Sequence, residues 1–261
     1  MRPSDQESVI MSGGIEGHVA VITGGGRGIG AATAQWLARD GAAIAVWDRD
    51  EVSAHATAEE IRRLGGRALA VVRGVESPEE VRIGVAEVQS AFGQIDILVN
   101  NAGFSHLGPV TEMTDEQWAS VVGVHMTGAF NLVRAVAPGM KTRRYGRIVN
   151  MSSLASMGAD GMACYATVKA GLQGLTRALA VELGPYGITV NAVAPSLIRT
   201  ARLKASPAFE RLSTLSLRGQ SIQRDGAPDD VANAISFFAS AHSGFVTGEV
   251  LFVTGGIRQL W

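Results

Sequence analysis

The sequence predicts an α/β fold, a doubly wound parallel sheet flanked by helices on both faces, and three observations predict it. Short apolar runs alternate with helix-length segments along nearly the whole chain, as strands joined by crossover helices do. The joints are short and often glycine, of which the 261 residues contain 32, as tight turns between buried strands and helices require. The first unit also ends in an acid, giving the order strand, glycine loop, helix, strand, carboxylate. A chain of this length is ample for one large domain with a real core.

His18–Thr23 is the first apolar run. Gly24, Gly28 and Gly30 then form a loop that opens a helix from Ala31 to Arg39, and Gly41 stands just past its end, where a left-handed residue is favoured. Ala42–Trp47 is the second strand, closed by Asp48. Such a loop lets the backbone approach a pyrophosphate at a helix N-terminus, and Asp48 is spaced to accept from adenosine ribose hydroxyls.

Asp50–Leu64 reads as a helix and Arg67–Val72 as a strand. Ser77, Pro78 and Glu80 mark a helix start with cap, first-turn proline and capping-box acid, and this helix runs to about Phe92. Ile95–Val99 is the next strand, followed by Asn100-Asn101-Ala102-Gly103. Thr114 and Gln117 form a second capping box that opens a helix to about Ala137. Gly146–Met151, Ala163–Gly184, Ile188–Val193, Asp229–Ala239 and Glu249–Val253 continue the alternation. Residues 196–225 read as long and irregular, a segment of the kind that covers sites as a lid. Residues 1–14 are expected to be a disordered extension, with Met11 an alternative start, and residues 15–261 a single domain.

Composition excludes several functions. A net charge of −1 gives no field for nucleic acid or an anionic membrane. No apolar run approaches the ~20 residues of a membrane helix, and the N-terminus lacks the apolar core of a secretory signal. One cysteine, Cys164, cannot form an internal disulfide or a cysteine zinc site. The five histidines show no ligand spacing, so no metal is expected. The chain reads as cytoplasmic, with a small-molecule substrate and neither nucleic acid nor membrane as partner.

Tyr165 and Lys169 stand four residues apart, on one face of the expected helix. An ammonium beside a phenol favours the phenolate and brings its pKa from about 10 toward the working range. Ser152 and Ser153, a short loop upstream, supply hydroxyls to hold a substrate oxygen. Alone, the spacing also fits an amphipathic helix with a packed Tyr and a solvated Lys.

The segments Thr23-Gly24-x-x-x-Gly28-x-Gly30, Asn100-Asn101-Ala102-Gly103, Ser152-Ser153, Tyr165-x-x-x-Lys169 and Val190-Asn-Ala-Val-Ala-Pro195, in this order, resemble the short-chain dehydrogenase/reductase family over nearly the whole chain. The resemblance implies a Rossmann-type fold and NAD(P)-dependent oxidation or reduction of an alcohol or ketone, usually by a homotetramer. It implies that Tyr165 is the general acid/base, that Lys169 lowers its pKa and holds the nicotinamide ribose, and that Ser153 orients the substrate oxygen. Gly24, Arg27, Gly28, Ile29 and Gly30 would cradle the dinucleotide, with Asp48 and Arg49 at its ribose. Val75, Asn101, Ala102 and Gly103 would line it beside the adenosine, and Pro195, Ile198 and Thr200 would hold the nicotinamide end. Substrate contacts are expected from Phe104, Ser153, Leu154, Met157, Tyr165 and Leu197, with His106 and Met162 as neighbours.

The chain departs from the family pattern in four places. His125 stands where an Asn usually supports a water-mediated proton relay behind the Lys; it either maintains that relay, adding a titration near neutral pH, or merely fills the slot. The loop from Ser153 to Tyr165 is one residue short, which leaves Ser152 as a rival, although Asn150-x-Ser-Ser favours Ser153. Gly74 replaces the Asp that accepts from adenine, with Glu76 a substitute at hand. Ser196 and Thr254 replace a Gly and an Asp away from the chemistry.

Asp48 argues for NAD, because a carboxylate repels a 2′-phosphate. Arg27 and Arg49 argue for NADP. Leu197, Leu203, Phe209, Leu212, Leu215 and Leu217 suggest an apolar wall in the lid, set among Arg199, Arg202, Lys204, Arg211, Arg218 and Arg224. The stretch Ala194–Thr200 is similar to aryl secondary-alcohol dehydrogenases of the family and points to a cyclic or aromatic alcohol. The expectation is an NAD-dependent secondary alcohol dehydrogenase or ketone reductase. Its rivals are an NADPH-dependent 3-oxoacyl thioester reductase, with Arg143, Arg144 and Arg147 docking a carrier, and a non-catalytic dinucleotide-binding regulator.

Overall fold

A computed structural model describes residues 14–257. The expected extension, apart from Gly14, lies outside the described residues, as do residues 258–261. The strands are β1 (Val19–Thr23), β2 (Ala43–Asp48), β3 (Ala68–Val72), β4 (Ile97–Asn100), β5 (Gly146–Met151), β6 (Ile188–Pro195) and β7 (Val250–Val253). They form one seven-stranded sheet in the order β3-β2-β1-β4-β5-β6-β7, and every pairing is parallel. This is the doubly wound, Rossmann-like sheet that the alternation predicts.

Alternate residues of the strands enter two cores. Val19 and Val21 of β1 pack on one face with Val81, Val85 and Val88 of α3 (Pro78–Phe92) and Leu132, Val136 and Met140 of α5 (Gly128–Arg143). Ala20 and Ile22 face the other way, onto Ala34 and Leu37 of α1 (Gly28–Arg39), Ile61 of α2 (Glu51–Arg63) and Ile235 of α9 (Pro228–Ala239). Central strands are buried on both sides, which is why they read as unbroken apolar runs.

Local signals decide most boundaries. Asp50 caps α2 by accepting from the Ser53 N–H at 2.8 Å, and Thr114 and Gln117 complete their capping box ahead of α4 (Asp115–Val122). Ser77 caps α3, but the Glu80 carboxylate accepts from the Gly74 N–H at 2.7 Å instead of closing a capping box. The helix expected to end near Ala137 continues to Arg143 and is interrupted by a π-helical turn, Gly123–Thr127, between α4 and α5. The segment 196–225 is not irregular: it holds α7 (Ala201–Lys204) and α8 (Phe209–Gly219), after α6 (Ala163–Leu183) and before α9. Among the described residues no helix is long and apolar enough to cross a membrane.

Candidate active site

The strand order reverses at β1 and β4, so the crevice of the fold opens above their C-terminal ends. Thr23 stitches its two walls together. Its hydroxyl oxygen accepts from the Asn101 and Ala102 N–H groups, each at 3.0 Å, and the Asn101 amide donates to the Thr23 and Gly24 carbonyls at 2.9 and 3.1 Å. Asn101 therefore holds the glycine loop rather than offering its side chain to a ligand. Gly30 is required by close approach, since a Cβ there would lie 2.0 Å from the Gly24 carbonyl oxygen.

Unlike α2, α3 and α4, α1 has neither a side-chain N-cap nor an acid in its first turn. Its N–H groups and dipole face the crevice, and a dinucleotide diphosphate fits that donor set. Asp48, at the end of β2, accepts from the Gly26 N–H at 3.0 Å and the Asp50 N–H at 3.1 Å. Arg27 turns away to pair with Asp50 at 2.6 Å, and the Ser53 hydrogen bonds and Arg27 pull that carboxyl down to about 2. Arg49 is exposed. Val75 is buried with its N–H on the Glu76 carboxylate at 2.9 Å, while Glu76 and Glu80 both fill the space beside Gly74. Two acids thus occupy the place of the missing Asp. The Phe104 ring stands edge-to-face with His106 at 5.4 Å and 6.0 Å from the Arg49 guanidinium.

On the other side of the crevice, α6 brings Tyr165 and Lys169 beneath the end of β5. The serine pair divides. Ser152 is buried and structural: its hydroxyl donates to the Lys169 carbonyl at 2.8 Å and accepts from Gln173 at 3.0 Å. Ser153 caps the short turn Leu154–Met157, accepting from the Ala155 N–H at 3.1 Å, and its hydroxyl also faces Tyr165. Burial raises the Tyr165 pKa and the Ser153 hydrogen bond lowers it, with a net upward shift. Lys169 is 4% exposed, donates to the Met151 carbonyl at 2.5 Å, and stands 5.4 Å from the Tyr165 ring centre. Burial brings its pKa down to about 7. The ammonium is thus directed at a backbone carbonyl, and the Tyr165 phenol is raised rather than lowered.

His125 sits in the π-helical turn, buried, with its ring 5.7 Å from that of Tyr165 at 86°. Desolvation by burial, then the Lys169 charge, lower its pKa to about 3. Of the two readings of His125, the one that adds a titration near neutral pH does not fit this environment, which holds the imidazole neutral.

Pro195 ends β6, and Ile198 is bridged to Gly226. Thr200 spends its hydroxyl oxygen on the Leu203 N–H at 3.3 Å, and its methyl lies beside Gly28. The segment 196–225 therefore touches the glycine loop. Leu154 is 1% exposed and cannot meet a substrate, because the turn it begins folds it inward; Met157 is open to solvent. Ser213 and Ser216 of α8 are buried, and Phe209, Leu212, Leu215 and Leu217 are half-buried. Arg143, Arg144 and Arg147 form no carrier dock beside the crevice. They stand at the N-terminal end of β5, and Arg147 is buried on the Ser240, Gly146 and Gly187 carbonyls. Cys164 is buried with its thiol pushed up by desolvation, a packing residue. Among the described residues no group of three His, Cys, Asp or Glu side chains could hold a metal ion.

A family model described as enoyl-(acyl carrier protein) reductase matches residues 24–258. The chain is 42% identical over 243 residues to the (2S)-[(R)-hydroxy(phenyl)methyl]succinyl-CoA dehydrogenase subunit BbsD of Thauera aromatica, covering 93% of this chain and 97% of that one. It belongs to the short-chain dehydrogenase/reductase family. It is also 38% identical to the 3-oxoacyl-[acyl-carrier-protein] reductase FabG of Vibrio cholerae, over 94% of this chain and 99% of the relative. A crystal structure of a gluconate 5-dehydrogenase from Burkholderia cenocepacia, in complex with NADP and tartrate, superposes with a TM-score of 0.87 at 36% identity, covering 94% of this chain and 97% of that one. The protein is an oxidoreductase of this family with a nucleotide-binding crevice.

Sequence reasoning missed Thr23 and Gln173 as supports of the site. Thr23 opens the glycine motif and carried a signal; Gln173, one turn beyond Lys169 on α6, is visible only through its bonds to Ser152 and Ser156 at 3.0 and 2.7 Å.

Proposed function

We propose that this protein interconverts a secondary alcohol and a ketone with a nicotinamide dinucleotide. The carrying observation is the convergence of Tyr165, Ser153 and Lys169 beside the crevice of the dinucleotide fold. When bound, the nicotinamide supplies or accepts the hydride. The α1 N-terminus and the glycine loop bind the diphosphate, Asp48 takes the adenosine ribose, and Thr200 and Ile198 close on the nicotinamide end. The Ser153 hydroxyl holds the substrate oxygen, and Tyr165 gives that oxygen its proton in reduction or takes it in oxidation. Burial keeps the phenol protonated in the free protein, which suits donation; oxidation needs the Lys169 ammonium turned from the Met151 carbonyl toward the phenolate. The test is NADH absorbance over a panel of cyclic, aromatic and acyl secondary alcohols and their ketones. Turnover that vanishes in Tyr165→Phe supports the proposal; no turnover with any pair favours a binding module.

NAD is the proposed coenzyme. Asp48 supports it, and the Arg27 charge is engaged by Asp50. The NADP in the Burkholderia relative favours the other coenzyme, and a higher kcat/KM with NADP overturns the proposal.

A second reading, reduction of a 3-oxoacyl thioester, rests on the lid. Arg199, Arg202, Lys204, Arg211 and Arg218 are exposed and, among the described residues, lie within ion-pair distance of no acid. Such a face suits the phosphates of an acyl thioester, and two of the relatives are named for acyl thioesters. A 3-oxoacyl-CoA turned over faster than every cyclic or aromatic ketone selects this reading. A homotetramer is proposed on the exposed Phe130 and Val181 of α5 and α6 and Leu251 and Phe252 of edge strand β7, with light scattering as the test.

A further inference from the structure

Behind the catalytic face lies a small cavity of about 10 Å³, whose lining includes Thr23, Asn100, Ala102, His125, Gly128 and Leu172. A cavity needs about 10–15 Å³ by this measure to hold one water. Two lining side chains each carry a buried atom that no protein group satisfies, Oδ1 of Asn100 and Nδ1 of His125.

Their polarity follows from their other bonds. The Thr176 hydroxyl donates its one proton to the Leu172 carbonyl at 2.7 Å, so toward Asn150 it can only accept, from Nδ2 at 3.0 Å. Asn150 therefore turns Oδ1 to Asn100, whose Nδ2 donates to it at 2.8 Å. A backbone carbonyl at the far end thus dictates both amide orientations and leaves Asn100 with an acceptor free. His125 Nε2 lies 2.8 Å from the Phe104 carbonyl and 3.1 Å from the Phe104 N–H. The two contacts need opposite tautomers; a bare ring nitrogen 2.8 Å from a carbonyl oxygen is the more repulsive alternative, so we assign the proton to Nε2, which leaves a lone pair on Nδ1. Two acceptors therefore belong to one cavity. They cannot bond to each other, and a molecule with two donors satisfies both.

We propose that this cavity is a binding site for one buried water, which donates one O–H to Asn100 Oδ1 and the other to His125 Nδ1. The water holds the imidazole in its Nε2–H tautomer and makes His125 a positioning residue. Through Nε2–H the ring fastens the Phe104 carbonyl, immediately after the Asn101–Gly103 wall of the crevice. Its face lies against Gly103, where a Cβ would come within 2.2 Å of Cε1, and it stands edge-on to Tyr165. The ionisable groups beside it are Lys169 and Tyr165; burial and the Lys169 charge both oppose its protonation. The Asn100–Asn150–Thr176 chain so becomes a support of the site, reaching it through a single water.

Two measurements on the unaltered protein test this. Neutron diffraction from crystals grown in D2O should show one water in the cavity with its deuterons directed at Asn100 Oδ1 and His125 Nδ1. Nitrogen-15 NMR of histidine-labelled protein should find His125 protonated at Nε2 and bare at Nδ1 from pH 5 to 8. A dry cavity, a water with its deuterons aimed elsewhere, or a proton on Nδ1 overturns the inference. Neither readout involves turnover, so failure here and failure of the proposed activity are separable.

Discussion

Replacing His125 by Asn should flatten the acid side of the stability curve. His125 is 3% exposed, and its pKa falls from 6.5 to about 3 on folding, with burial the largest cause. Between those values the unfolded chain binds a proton that the folded chain refuses, so stability is present in full above pH 6.5 and is lost as pH falls toward 3. The loss approaches about 1.4 kcal/mol per pH unit inside the window, or roughly 2–3 kcal/mol between pH 7 and 4.5. Urea unfolding of both proteins at matched protomer concentration, in half-unit pH steps, measures it. Groups common to both proteins cancel in the difference, so the wild type should lose roughly 2–3 kcal/mol more than His125→Asn over that interval. Parallel curves, within about 0.5 kcal/mol, refute a neutral buried imidazole.

Other perturbations separate the roles of neighbouring groups. Lys169→Met should abolish turnover yet stabilise the free protein by about 4 kcal/mol at pH 6, because a buried amine with its pKa brought to about 7 disfavours folding wherever the unfolded chain holds its proton; the gain should fade as pH rises from 7 toward 10.5. Ser153→Ala should lower kcat by about 10²-fold or more with little change in Tm. Ser152→Ala should instead cost about 1 kcal/mol in chemical unfolding, since it removes the buried bonds to Gln173 and the Lys169 carbonyl. Gly30→Ala should abolish dinucleotide binding in calorimetry and lower Tm, because its Cβ meets the Gly24 carbonyl oxygen; unchanged affinity contradicts the proposed cradle.

The fold was legible because its determinants are local. Apolar runs, caps at Asp50 and Thr114, and glycines at helix ends place the strands and helices to within a few residues. The boundaries that slipped did so for tertiary reasons. The helix through His125 takes up a π-helical turn where its ring packs on Gly103, and Glu80 prefers the Gly74 N–H to its own helix start. Residues 196–225 do carry apolar side chains at helical spacing, Phe209, Leu212 and Leu215, but with no strand between them and α9 to set the alternation they read as a loop; the segment is tied to itself through the Ile198–Gly226 bridge and the Ser213 bond to Asp225 at 2.7 Å.

By itself the sequence determined the parallel α/β architecture, the glycine loop with its acid, and the Tyr165–Lys169 pair, because each is written in spacings of one to about twenty residues. Only the tertiary structure decided which serine faces the phenol, where the Lys169 ammonium points, and that His125 is neutral. It also removed Leu154 from the substrate wall and Arg147 from any docking surface. These are properties of burial and of partners far apart in the chain, such as Phe104 with His125 and Asn100 with Asn150. Desolvation and hydrogen-bond polarity act through space, and no local pattern encodes them.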